Sequence, residues 1–181
     1  MAETRSAISI RTTVLLLGFA LVFSAIVPML VRVFAADNDA VQVQLTFSQA
    51  GPRQLEDSTQ QSINRNYANA WKIMAESLRD NRTDKLDQNF VGGAREVLAD
   101  QVSAQQKSGM STRYIDHGHK LDAVFYSPEG SAMQLHDTAQ LELQILDGGK
   151  VIHSEQITQQ YHVLMTVAED RWKVRVLQAL P

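Results

Sequence analysis

The sequence predicts an α+β protein in which an N-terminal transmembrane helix precedes one domain of about three helices packed on a curved antiparallel sheet. Three observations predict it. Residues 13–31 form an apolar run without a charge. Apolar residues at spacings of three and four then mark residues 57–108 as helical, and beyond residue 110 the spacing changes to two.

The apolar run, TVLLLGFALVFSAIVPMLV, matches the roughly 20 residues a helix needs to cross a bilayer. Arg5 and Arg11 precede it, and Asp37 and Asp39 follow it. The positive-inside rule therefore places the N-terminus in the cytoplasm and the rest of the chain outside a plasma (inner) membrane, as a single-pass signal-anchor protein. Arg32 sits close enough to the far interface to snorkel. The competing reading is a cleavable signal peptide with Val33-Phe34-Ala35 near the cleavage site, but an h-region of that kind is usually shorter. A buried core helix fits less well, because the run is apolar all round. The expected organisation is a cytoplasmic tail at 1–12, an anchor at 13–35, a linker at 36–57 and the folded domain at 58–181.

In the linker, Val41, Val43, Leu45 and Phe47 alternate with Gln42, Gln44, Thr46 and Ser48. Period two predicts a strand over 41–48, ended by Gly51-Pro52. It would be either an extended tether or an edge strand pairing with the domain's sheet or with another chain, and its four apolar residues are the candidate partner contacts.

Asp57 or Ser58 would cap the first helix, which carries Ile63, Tyr67, Ala70, Trp71, Met74 and Leu78 on one face. After Asp80-Asn81-Arg82 comes a short helical turn with Leu86 and Phe90. Gly92-Gly93 interrupts it, and a third helix with Ala94, Val97, Leu98 and Val102 inward ends near Gly109. The double glycine lacks the Lys-Ser/Thr pair of a phosphate loop. The strands follow as a meander. Turns are expected at Ser127-Pro128-Glu129-Gly130, at Asp147-Gly148-Gly149 and at Glu169-Asp170. The helices would cover the concave face, and the last two strands would form the centre of the sheet.

Composition narrows the function. The net charge is −3, and a nucleic-acid partner is not expected without a clustered basic face. With no cysteine, there is neither a disulfide framework nor a thiolate metal site. Nothing in the residues asks for a cofactor.

The segments NYANAWKIMAESL (66–78), DKLDQNFVGGA (84–94) and QQYHVLMTVAEDRWKVRVLQAL (159–180) carry a resemblance. In order and pattern, residues 58–181 resemble the cone-shaped fold of the nuclear transport factor two-like superfamily. The Trp71 helix, Tyr161-His162-Val163 and Trp172-Lys173-Val174 look most similar to its membrane-anchored members, the intermembrane-space domains of chloroplast-division proteins and their bacterial relatives. The assembly subunit of type IV secretion has a similar plan but a longer cytoplasmic tail. The resemblance implies a binding or assembly role rather than catalysis, although fold alone does not license function.

Asp137 is the one charge on the apolar odd-numbered face of its strand. Inward in a conical pocket it would be a candidate general base, with Trp71 as a candidate pocket-lining residue. The resemblance to ketosteroid-isomerase-like members, where an inward Asp works with a Tyr and a second acid, implies Tyr67, Tyr114 and Asp116 as its ligand-binding neighbours, although no spacing fixes them together. The blander reading places Asp137 at the strand's mouth, solvated or paired to an Arg or a His. It also has Trp71 meet Trp172 across the helix–sheet layer simply as core. His117, His119 and His136 would form a metal site only if all three shared a face; surface or turn positions are the commoner outcome, and no metal is expected. Asn81-Arg82-Thr83 matches a glycosylation sequon by chance in a bacterial-looking chain. The favoured function is a non-catalytic module outside the cytoplasm, held by the membrane through 13–35 and engaging a protein partner or a second copy. The alternative is a small-molecule-binding or isomerase-like enzyme built on Asp137.

Overall fold

The computed structural model describes residues 41–47 and 53–181. The expected tail and anchor lie outside them. Among the described residues no helix is long and apolar enough to cross a membrane.

Two helices lie against one five-stranded sheet. Helix α1 spans Asp57–Asp80. Its N-cap is Glu56, without a side-chain hydrogen bond to the first turn, so neither Asp57 nor Ser58 caps as expected; Asp57 sits inside the first turn, where its charge complements the helix dipole. Asn81 ends the helix in the left-handed region at φ 53°, and Arg82 N–H donates back to the Ser77 carbonyl. The middle helix is only a 3₁₀ turn at Leu86–Gln88. Helix α2 spans Gly92–Ser108 and buries Ala94, Leu98 and Val102. Val97, expected inward, is 63% exposed. At 100° per residue the row 94, 98, 102 drifts one way while residue 97 falls on the other side.

The strands are β1 Val43–Thr46, β2 Met110–Tyr126, β3 Ala132–Asp147, β4 Lys150–Ala168 and β5 Arg171–Ala179, in that order across the sheet. Two expectations need correction. First, the sheet is mixed: β2 to β5 form an antiparallel meander, but β1 runs parallel to β2, pairing Val43 with His119 and Leu45 with Leu121. A parallel pair requires a crossover connection, and the two helices supply it. Second, the last strands are not central. Successive tight hairpins lay strands down in sequence order, which leaves β3 in the middle and β5 at an edge. The segment after the 3₁₀ turn covers that edge: Val91 N–H donates to the Val174 carbonyl and Val174 N–H to the Asn89 carbonyl. The β3–β4 turn has Gly148 and Gly149 at φ 56° and 82°, the two positive values a type I′ turn requires.

One hydrophobic core lies between helices and sheet. It contains Ile63, Leu78, Leu86, Phe90, Leu121, Leu135, Val163 and Met165. Leu45 of β1 belongs to it, and Val41, Val43 and Phe47 pack against it. The amide of Gln60 ties α1 to β1 by donating to the Leu45 carbonyl. The apolar side chains named as partner contacts therefore lie against their own domain.

A closed carboxylate–imidazolium–carboxylate site under the first helix

Strand β2 changes face twice, and the first change builds the site. Asp116 pairs with Leu141 and Gly118 with Gln140, so His117 is an extra residue, a β-bulge. Before it the even residues Thr112, Tyr114 and Asp116 face the helices; after it the odd residues His119, Leu121 and Ala123 do. The bulge thus sets Asp116 and His119 side by side on one face. Gly118 makes this possible, with φ at 134°, and Asp116 Oδ1 accepts its N–H at 2.8 Å. A Cβ there would meet only the Gln42 carbonyl, at an ordinary 3.7 Å, so the obstacle is backbone strain. Gly118→Ala is expected to destabilise the domain by about 1–3 kcal/mol, read as a lowered denaturant midpoint at unchanged slope.

Four side chains from three elements then meet. His119 Nε2 lies 2.8 Å from Asp116 Oδ2, and Nδ1 lies 2.8 Å from Asp137 Oδ2. Tyr67 of α1 donates its hydroxyl to the same Asp137 oxygen at 2.7 Å. Asp137 and Tyr67 are fully buried and His119 is 2% exposed. Both imidazole nitrogens face carboxylates, which only accept, so both must donate and the ring is cationic. Burial alone would depress its pKa, but the hydrogen bonds it donates to Asp116 and Asp137 outweigh it, raising the value from 6.5 to about 9. Trp71 covers the imidazolium, its ring centroid 4.4 Å away, in cation–π range. Tyr114 and Tyr161 meet the edge of Trp71 at 6.2 and 5.5 Å. Burial pushes the Tyr67 hydroxyl well above its usual value, helped by the charge of Asp137; burial also raises Tyr114 and Tyr161. All three phenols stay protonated at neutral pH.

The structure therefore brings Tyr67, Trp71, Tyr114 and Asp137 together; Asp137 is paired to a histidine, one of the two bland alternatives, but buried at the centre of the network rather than at a mouth. His119, Asp116 and Tyr161 complete it. The two tryptophans do not form one contact as expected: Trp71 packs in this cluster, whereas Trp172 packs on Tyr126 at 6.4 Å. The three histidines considered for a metal do not converge. His117 is exposed on the bulge, His119 is inside, and His136 stands on the opposite face beside His162 at 6.1 Å.

Chemically the site is closed. The space bounded by Tyr67, Trp71, Met74, Phe90 and Val174 is too small for a water molecule. Two buried polar atoms here, Asp137 Oδ1 and Trp71 Nε1, make no hydrogen bond. A general base must reach the proton it takes, directly or through one water. Asp137 itself has no solvent-exposed surface. A cleft of about 110 Å³ at the β1–β2 edge lies between Gln42, Gln44, His117 and Gln140 and has His119 of the network in one wall.

No protein-family model and no curated protein matches the sequence. Solved structures do. The intermembrane-space region of the chloroplast protein ARC6 is 15% identical, with 71% of this chain and 98% of that one covered at a TM-score of 0.60. The two share a fold. Two further structures are more distant: Aln2 from a Streptomyces species, 12% identical over 70% of this chain and 94% of that one at a TM-score of 0.46, and a provisionally named scytalone dehydratase from Novosphingobium aromaticivorans, 13% identical over 68% and 85% at 0.45. At these scores neither carries an argument. An identity of 15% shows the shared fold and nothing about activity.

Proposed function

We propose that the chain is a bacterial, membrane-anchored module whose folded domain stands outside the cytoplasm, in the periplasm, and holds a protein partner or a second copy in an envelope complex, without catalysis. One observation carries the non-catalytic part: Asp137, His119 and Tyr67 are buried and bonded to one another, and Trp71, Met74 and Phe90 leave no space for a water beside them. A buried ion network of this kind specifies packing rather than turnover. The anchor and topology rest on the uncharged run at 13–31 and its flanking charges. The likeness to a domain of a chloroplast intermembrane space supports the location by analogy.

The test is fractionation with crosslinking of the full-length chain in its native membrane. The chain should stay with the membrane until detergent is added, its C-terminus should be cut by protease supplied from outside, and it should yield discrete protein adducts. A chain found free in the cytosol, or one forming no adduct, overturns the proposal.

A second reading, small-molecule chemistry at Asp137, is favoured by the unbonded Asp137 Oδ1 and Trp71 Nε1. It requires α1 to lift from the sheet. Isotope exchange of the Trp71 indole N–H that is as fast as in an exposed indole would support it; protection over hours would end it.

A further inference from the structure

Strand β4 outruns its neighbour. β5 pairs with it only from Tyr161 to Ala168, whereas β3 pairs with it back to Lys150. Residues 150–159 therefore have β3 on one side and, among the described residues, no strand on the other. This stretch is exposed along most of its length, with Val151 at 39% and Ile152 at 57%, and holds no proline. Such an edge is a template for another strand.

Backbone geometry limits how a second copy can use it. The Gln160 carbonyl accepts the Leu180 N–H at 2.8 Å, so at Gln160 the backbone polar groups point away from β3. Alternation aims those of Thr158, Gln156 and Ser154 the same way. Two antiparallel copies about a twofold axis must then set even residues opposite even ones. The axis can fall on Ser154, Glu155, Gln156 or Ile157. An axis on Glu155 opposes two like charges. One on Ile157 drives residue 153 of the second copy against Tyr161, whose edge β5 already holds. One on Gln156 forms no charge pair. An axis on Ser154 sets His153 of each copy against Glu155 of the other, twice, in the close pairs that carry no backbone hydrogen bonds. Both side chains are about half exposed; within one chain His153 Nε2 stands 3.8 Å from Glu155 Oε2, and the twofold exchanges this contact for two across the axis.

We infer that the free edge of β4 binds a second copy of this chain, antiparallel, with Ser154 on the axis; this rests on the assembly reading above and names its partner. The interface is isologous. The bulge at Ile152, where Ile145 pairs with His153 and Leu146 with Val151, ends the ladder near the hairpin tip. A ladder this short gives reversible association.

The absence of native cysteine makes the test direct. Opposed residues in a hydrogen-bonded pair stand about 5.5 Å apart at Cα, within disulfide range. Under mild oxidation the full-length chain with Ser154→Cys should crosslink to itself. Gln156→Cys and Thr158→Cys should do so at least about five-fold less, a margin set by the two His153–Glu155 contacts. His153→Glu, which opposes Glu155 with a like charge, should weaken association by about ten-fold, and His153→Glu with Glu155→Lys should restore it. Equal crosslinking at residues 154, 156 and 158, dominance of Gln156→Cys, or a monomeric full-length chain overturns the inference. A monomer that still forms adducts with another envelope protein leaves the assembly reading standing; a chain with neither kind of adduct removes both.

Discussion

Asp137→Ala is expected to cost about 3–5 kcal/mol of stability, the range for removing one partner of a buried ion pair. Three losses coincide. The His119 imidazolium keeps only Asp116, whose side chain is 16% exposed, so a buried cation loses its innermost counter-charge. The Tyr67 hydroxyl, fully buried, loses its only hydrogen-bond acceptor in the network. The missing carboxyl also leaves space beside Leu121 and Tyr161, its neighbours across the strands. Asp137→Asn keeps an acceptor of the same shape and should cost less than alanine but more than a surface substitution. With a urea slope of about 2 kcal/mol/M, the alanine variant should unfold at a midpoint roughly 2 M lower. A double-mutant cycle with Tyr67→Phe should show clear coupling, because both substitutions break the same bond. An Asp137→Ala chain within about 1 kcal/mol of the parent would mean that the carboxylate is not a structural centre.

The legible and illegible parts of this molecule separate along physical lines. The face of α1 repeats Tyr67, Trp71, Met74 and Leu78 at spacings of three and four, which only a buried helix requires, and each of them is buried. The odd face of β3 showed Asp137 among Met133, Leu135, Ala139 and Leu141, and the alternation survives because β3 runs unbroken there. Prediction failed where a strand changes phase. Period two, carried straight through β2, puts His117 and His119 on one face; the bulge between Asp116 and Gly118 turns His117 outward and brings Asp116 to His119. The signal was present, since a glycine inside a strand pattern marks a bulge as often as a weak point. Strand order was missed for another reason. Pairing of β1 with β2 joins residues more than 70 positions apart, and no local pattern encodes it. The ring of aromatics around His119 likewise comes from three separate elements, so no spacing in the sequence announces it.

Stability should fall as pH rises from about 6.5 to about 9, and His119 supplies the slope. Its folded-state pKa, about 9, stands above the unfolded value of 6.5, because two carboxylates hold a charge that burial alone would expel. Within that window the folded state binds the extra proton. Raising the pH therefore favours unfolding: the contribution is fully present below about 6.5 and is gone once the pH passes about 9. The gap corresponds to roughly 3 kcal/mol at the ordinary conversion of protonation into free energy. The physical cost is easily named. A neutral imidazole donates from one nitrogen only, so the other lone pair must face a carboxylate oxygen with no proton between them. Asp116, at the wetter end of the network, is the contact expected to open first. Other shifted groups lie outside the window. Asp80, Asp84, Asp87, Glu142 and Glu169 are held low by Arg79, Arg82, Arg95, Ser154 and Lys173, so they act on the acid side, and Tyr67, Tyr114 and Tyr161 are raised and act above pH 10. Urea unfolding of the parent at pH 6 and pH 9 measures the slope. His119→Gln, which cannot take the proton, should be less stable at pH 6 and should lose most of the pH dependence. A slope that persists undiminished in that variant would place the titrating proton on some other group.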